Sequence, residues 1–133
     1  MASTGGGERS ARVAERIRKE LMEMFLVGAV KDPGVKDAVV HAVRVSGDLQ
    51  HARVYVRLGA LEPRPARIRA LMKGLSRASG FLRGKLGKKL ELRYTPNLTF
   101  EWDDTAEKAA RIETLLEEIH ADAADDPSED ASE

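Results

Sequence analysis

The chain has 133 residues, no cysteine and a formal net charge of zero, and its 42% hydrophobic share is enough for one core. The lack of cysteine excludes disulfides and cysteine-ligated metal sites. We expect neither a secretory signal nor a membrane span, because no apolar run has the required length, and therefore a soluble cytoplasmic protein.

The neutral total conceals a strong separation of charge along the chain. Residues 64–93 sum to +9, and residues 94–133 sum to −11. A solvated helix face is the usual explanation of a short basic run, but a segment this charged repels itself unless something neutralises it. The basic segment therefore indicates a polyanionic partner.

The N-terminal part of the chain predicts a short disordered segment and then a helix. Residues 1–8 are small, polar and rich in glycine, so we expect disorder there. From Ala11, apolar side chains recur at helical spacing on one face. Ser10 is the predicted cap of this helix and Gly28 its predicted stop.

A turn and a hairpin follow the first helix. Residues 31–35 contain the Pro-Gly pair that breaks a helix. Residues 37–45 and 51–58 are β-branched and alternating, and a Ser-Gly-Asp-Leu turn sequence separates them. In the second strand the face with Val54 and Val56 is assigned to the core.

The basic segment itself predicts two helices with a bend between them. An apolar stripe runs from Ile68 to Leu86, and Ala78-Ser79-Gly80 interrupts the basic stretch. Glycine costs roughly 1 kcal/mol in a helix interior, so its presence needs a reason. Two reasons stay open: a nucleic-acid backbone approaches where no Cβ stands in the way, or the helix packs closely on the sheet.

Two aromatic residues are candidates for stacking on unpaired bases. Phe81 falls off the apolar stripe of an unbroken helix, where it could stack on a base. A bend at Gly80 would shift which residues after it lie on the apolar stripe, and on that argument Phe81 is assigned to the core. Tyr55, between Arg53 and Arg57 on the outer face of its strand, is a weaker candidate.

A strand and a helix complete the order. Residues 90–102 alternate as a strand, in which Pro96 indicates an edge or a bulge. A last helix follows, with Asp103, Asp104 or Thr105 as its predicted cap. Residues 120–133 form an acidic tail that we expect to be disordered. The predicted inner face of this helix consists of Ala109, Ile112, Leu115, Leu116 and Ile119. The fold class is α+β, with helices packed on a three-stranded sheet.

Patterns for catalysis and metal binding are missing from the sequence. His41, His51 and His120 are scattered, and no two have the spacing of ligands on one helix face. There is no glycine-rich phosphate loop, and the acids do not converge on one place. We expect no enzyme, no cofactor and no metal site.

The predicted function is nucleic-acid binding through phosphate contacts. Lysine and arginine side chains supply most of the affinity of such interfaces, and amides at the start of a second helix would attract phosphate. The predicted RNA-binding residues are Arg9, Arg12, Arg69, Lys73, Arg77, Ser79, Gly80, Arg83, Lys85, Lys88, Lys89 and Arg93.

The element order resembles a type II KH domain, in which a GxxG loop between two helices grips the nucleotide backbone. The chain has Ala78-Ser79-Gly80 in place of that loop, and this Ala-x-Gly junction resembles the ribosome-binding factor A family. The resemblance covers residues 9–119. It includes the segments RSARVAERI, KDP, VSGDLQHARVYV, ASGFLRGKLGKKLELRYTPNLTFEWDD and RIETLLEEI. Gly34 and Ala109 depart from the arginine and glycine expected there.

The resemblance implies a KH-like RNA-binding domain at residues 9–119 and a non-enzymatic assembly factor. Such a factor binds the free small ribosomal subunit and its rRNA and assists late maturation, including 5′-end processing. The resemblance also implies a role in growth at low temperature and release by an assembly GTPase. We expect a monomer with no membrane partner.

Two other classes stay open. One is a general single-stranded nucleic-acid-binding protein of KH-like fold. The other is an interaction module whose basic helices dock an acidic protein, such as the tail of another copy. The acidic tail either lies across the basic face and competes with weak RNA or only solubilises the chain.

Overall fold

The computed structural model describes residues 2–60 and 63–125, with side chains described at residues 7–60 and 63–123. The helices and strands are α1 (Ala2–Leu26), β1 (Ala38–Val45), β2 (His51–Leu58), α2 (Pro65–Leu90), β3 (Asn97–Trp102) and α3 (Thr105–Asp125). The predicted α+β class with a three-stranded sheet is confirmed. No helix in the described part of the chain is both long and apolar enough to cross a membrane.

The sheet has the strand order β1-β2-β3. The hairpin pair β1–β2 is antiparallel, and β2–β3 is parallel because α2 carries the chain back between these strands. Val40 pairs with Val56 and Ala42 with Tyr55, so His41 is the extra residue of a β-bulge. The bulge turns His41 toward Asp103, with His41 Nδ1 3.0 Å from Asp103 Oδ2.

One face of the sheet forms the core together with α1 and α2. Val54 and Val56 of β2 are fully buried, as the alternation predicts. Ile17 and Leu21 of α1 are also fully buried in the same cluster. Full burial of one such aliphatic side chain contributes about 1.5–3 kcal/mol. From α2 the cluster takes Leu71, Leu75, Leu82, Leu86 and Leu90.

The structure differs from the predicted pair of helices, because α2 is helical without a break through Ala78–Gly80. Its buried leucines keep a single stripe in phase on both sides of this segment. The burial of these side chains outweighs the roughly 1 kcal/mol that Gly80 costs. The assignment of Phe81 to the core was therefore wrong: the stripe does not change phase, and Phe81 is 46% exposed.

The predicted ends of several elements were also wrong. α1 begins at Ala2, so residues 2–8 are helical where disorder was predicted. Ser10 lies inside this helix and does not cap it, since its hydroxyl donates to the Gly7 carbonyl at 3.0 Å. Once the amphipathic part of α1 has formed, extending the helix toward the N-terminus costs little free energy per residue. β3 starts only at Asn97, because Pro96 cannot donate to a sheet.

The chain divides into two compact units, residues 1–103 and residues 104–133. In the second unit α3 extends to Asp125, past the predicted start of the tail at residue 120, and residues 126–133 lie outside the described part. The predicted inner face of α3 is exposed, with Ile112, Leu115, Leu116 and Ile119 at 52–61%. The described part of this unit is one helix, so it has no second element of its own to cover that face.

The turn at Pro33–Val35 packs directly against α2. Asp32 caps this turn by accepting a hydrogen bond from the Gly34 amide at 2.9 Å. A Cβ placed on Gly34 would lie 2.4 Å from the carbonyl oxygen of Ala70 in α2. The glycine that departs from the family pattern is therefore what permits this close approach.

We expect Gly34→Ala to destabilise the protein by about 1–3 kcal/mol, because the clashing atom belongs to helix backbone and cannot move aside. Urea unfolding measures the change in the free energy of unfolding. Gly80→Ala is the matched control. Nothing lies within 4 Å of its added Cβ, so it should stabilise α2 by up to about 1 kcal/mol. Equal effects of the two substitutions would contradict this account of the turn.

Candidate nucleic-acid interface

The exposed side of α2 carries most of the predicted RNA-binding residues. The buried leucine stripe fixes the rotation of the helix, so residues on the opposite side face solvent. Those exposed on α2 are Arg69, Lys73, Arg77, Gly80, Arg83, Lys85, Lys88 and Lys89, and Ser79 is partly exposed. This side of α2 is hereafter called the basic face.

Two glycines open the helix backbone on the basic face. No atom lies within 4 Å of a Cβ built on Gly80 or Gly84. Packing on the sheet therefore does not require Gly80, which removes one of the two explanations of this residue. Approach of a nucleic-acid backbone remains as the reason that fits the open space.

The predicted amide site at the start of a second helix was wrong. Because α2 continues through Ser79, the amides at this point lie inside the helix and donate to carbonyls of the preceding turn. The Ser79 hydroxyl donates to the Ser76 carbonyl at 3.1 Å. The groups that the basic face offers to an anion are therefore its side chains and the open glycines.

An exposed aromatic ring adjoins the basic side chains. Lys85 Nζ lies 5.7 Å from the centroid of the Phe81 ring, a cation–π distance. A half-exposed ring beside cations is the combination that single-stranded nucleic acids stack on. In an unbroken helix the sequence places Phe81 off the apolar stripe, and the exposure of its ring agrees with that placement.

One cation of the basic face is partly neutralised within the protein. Arg77 Nε donates to Asp32 Oδ2 at 2.8 Å. This hydrogen bond, together with that from the Gly34 amide, lowers the pKa of the Asp32 carboxyl. Arg77 therefore fastens the turn to α2 in addition to its predicted role toward phosphate.

Arg83 positions the loop between α2 and β3. Its guanidinium donates to the Thr95 carbonyl at 2.8 Å from Nη2 and to the Pro96 carbonyl at 3.2 Å from Nε. The loop also approaches α2 closely, since a Cβ on Gly87 would lie 2.5 Å from Thr95 Oγ1. Arg83 is thus a structural residue as well as a cation.

The structure brings three predicted cations together away from the centre of the basic face. Arg9 of α1, Arg83 and Arg93 line one cavity of about 650 Å³. Tyr94 lines the same cavity and is 75% exposed. The sequence pattern missed Tyr94, because the alternation placed residues 90–102 in one strand, whereas the strand starts only at Asn97. Arg12 is exposed on α1, and the cavity lining does not include it.

Two arginines of the sheet contact other groups of the protein, whereas Arg44 of β1 is exposed. Arg53 Nε lies 2.7 Å from Glu101 Oε2. Arg57 donates to the Asp103 carbonyl and lies 4.6 Å from the centroid of the Trp102 ring. Tyr55 between them is partly buried. These contacts favour α2 over the sheet as the anion-binding side of this unit.

Histidines and carboxylates do not form a metal site in the described residues. No group of three His, Cys, Asp or Glu side chains lies close enough there to hold an ion. His41 instead pairs with Asp103. The arrangement of residues 7–60 and 63–103 is one that can bind phosphate and stack on bases.

The pair Asp32–Arg77 predicts a pH dependence of stability. The folded-state pKa of Asp32 is lowered, so its stabilisation is present above the unfolded pKa of about 4 and is lost as pH falls through the folded value. The stability difference between wild type and Asp32→Asn should be constant at neutral pH and shrink below about pH 4. Thermal unfolding across pH measures it. In an Arg77→Gln background the same substitution should have a smaller pH-dependent effect, and an undiminished one would contradict the pairing.

Sequence relatives identify the family of this chain. Residues 9–116 match the family model described as ribosome-binding factor A. The chain is 42% identical over 114 residues to ribosome-binding factor A of Syntrophobacter fumaroxidans, covering 85% of this chain and 95% of that protein. It is 40% identical over 123 residues to the protein of that name from Thioalkalivibrio sulfidiphilus, covering 92% of each.

Solved structures have the same fold. A solution structure of a putative ribosome-binding factor A from Thermotoga maritima has a TM-score of 0.59 and 30% identity, over 70% of this chain and 85% of that one. A homology model of Thermus thermophilus ribosome-binding factor A, fitted into the cryo-EM map of its complex with 30S, has a TM-score of 0.57 and 29% identity. It covers 71% of this chain and 97% of that one. With its α+β fold and its matched residues 9–116, this chain belongs to the ribosome-binding factor A family.

Proposed function

We propose that this protein binds the free small ribosomal subunit through its rRNA and assists late maturation of the subunit, including 5′-end processing. The observation that carries the proposal is the basic face of α2, where exposed cations surround the open backbone of Gly80 and Gly84. The fitted Thermus thermophilus relative, which is in a complex with 30S, supports the choice of partner.

The charges of the basic face fit an extended phosphate backbone. Among the described residues, Lys73, Lys88 and Lys89 form no ion pair with a carboxylate, so their charge is available to a ligand. Each neutralised phosphate releases counterions, and the resulting affinity is independent of base sequence. The small subunit is then selected by the shape of its RNA and not by base edges.

The proposal requires binding and no bond-making step. Membership of the ribosome-binding factor A family supports a non-enzymatic role in the cytoplasm, with the protein acting as a monomer. Release from the subunit by an assembly GTPase and a role in growth at low temperature belong to the same proposal.

The first test is co-sedimentation of the purified chain with free small subunits, large subunits and joined ribosomes at about physiological salt, where phosphate contacts alone are already weakened. We expect retention by small subunits only. Equal retention by all particles and by bulk RNA would instead indicate a general nucleic-acid-binding protein. Retention by none would indicate a protein partner.

A second test measures how many phosphates the basic face neutralises. With about six contacts, the slope of log affinity against log salt should be roughly −4 to −5. We expect Lys85→Glu with Lys89→Glu to make the slope shallower by about 1.5, because two contacts are lost. The matched control is Lys19→Glu with Lys36→Glu, which changes net charge equally at exposed lysines outside the predicted interface. An unchanged slope in the first variant would remove these lysines from the interface.

A further inference from the structure

We propose that the cavity lined by Arg9, Arg93 and Tyr94 binds one unpaired ribonucleotide, with the base against the Tyr94 ring and a phosphate between the two arginines. The inference rests on the proposed function, since it assigns a nucleotide subsite within the same RNA-binding protein. This cavity is hereafter called the nucleotide pocket.

Four separate parts of the chain line the nucleotide pocket. They are α1 at Arg9, the β1–β2 turn at residues 47–50, α2 at Arg83, and the loop at residues 92–95 together with Asn97, the first residue of β3. The volume of about 650 Å³ lies within the range of small-molecule sites, roughly 300–1,000 Å³. It is large enough for one nucleotide and open enough for a strand to enter and leave.

The exposed ring of Tyr94 gives the nucleotide pocket a stacking surface. Tyrosine usually buries most of its ring, whereas Tyr94 is 75% exposed at the edge of the cavity. The Arg93 guanidinium carbon lies 5.7 Å from the ring centroid. Aromatic rings and guanidinium planes are the groups on which proteins stack unpaired RNA bases. Every base has a π-face, so this contact tolerates sequence variation.

The charge of the nucleotide pocket suits a phosphate. Asp48 is the acidic residue of the lining. Its carboxylate already accepts from the Ser46 hydroxyl at 2.6 Å and from the Gln50 amide at 3.0 Å. In the described residues the guanidinium groups of Arg9 and Arg93 form no hydrogen bond or ion pair with a side chain or carbonyl. Two guanidinium groups without such partners can hold a phosphate by paired hydrogen bonds.

The walls of the nucleotide pocket are held in place before any ligand binds. Arg83 fastens the loop through the Thr95 and Pro96 carbonyls, and Pro96 is fully buried. The Asn97 amide donates to the Gln50 carbonyl at 2.9 Å, which joins the loop to the β1–β2 turn. A preformed site loses less conformational entropy on binding.

The position of the nucleotide pocket connects it with the basic face. Arg83, which lines the pocket, lies within one helical turn of Gly80. A strand whose backbone crosses α2 at Gly80 can therefore place a following nucleotide in the pocket. Gln50 and Asn97 line the pocket as well.

The test uses the full chain and a single-stranded RNA of about eight nucleotides, within the known range of site sizes, with one 2-aminopurine whose fluorescence falls when it stacks. Wild type should bind this RNA and quench the probe. Tyr94→Phe keeps the ring and should retain both effects. Tyr94→Ala should lose the quenching and about tenfold in affinity, while Arg93→Gln should lower the affinity as well.

Phe81→Ala is the matched control, because it removes the exposed ring of the basic face. If this variant loses the quenching and Tyr94→Ala retains it, the base stacks on α2 and the pocket assignment is overturned. Co-sedimentation of the same variants separates the two proposals. If small subunits retain the wild type, and Tyr94→Ala binds the oligonucleotide and quenches the probe as the wild type does, the pocket alone is overturned. Wild type that binds neither small subunits nor RNA overturns both.

Discussion

The leucine stripe of α2 is the constraint on which the rest of the structure depends. Leu71, Leu75, Leu82 and Leu86 are fully buried in the core with the sheet and α1. Their burial contributes several kcal/mol, so the helix continues through Gly80 at a cost of roughly 1 kcal/mol. The same stripe fixes the rotation of α2. The lysine and arginine side chains of the basic face are consequently exposed.

Intramolecular contacts decide which cations a ligand can reach. On the sheet Arg53 pairs with Glu101, and Arg57 lies over Trp102. On α2 only part of the positive charge is used in this way, with Arg77 on Asp32 and Arg83 on the loop carbonyls. Among the described residues of this unit, α2 therefore carries more cations without a carboxylate partner than the sheet does, and such charges attract phosphate.

Local patterns predicted much of the fold and part of the site. The alternation of β2, the helical periodicity of α2 and the charge of residues 64–93 each depend on neighbours in sequence. Errors arose where one element's state depends on another. Phe81 was misassigned because the bend was inferred from the propensity of Gly80, and core packing overrides propensity. Tyr94 was missed because strand parity was extended through a loop that Arg83 and Pro96 hold.

The sequence by itself determined the α+β class, the order of the strands, the buried faces of β2 and α2, the basic segment and the resemblance to one family. These properties follow from side-chain periodicity and from motifs read along the chain. Only the tertiary structure decided that Arg9, Arg93 and Tyr94 meet at one cavity, and that Arg77 and Arg83 also hold a turn and a loop. These contacts depend on the parallel pairing of β2 with β3 and on the close backbone approach that glycine permits. The residues involved are distant in sequence, so no local sequence pattern encodes the contacts.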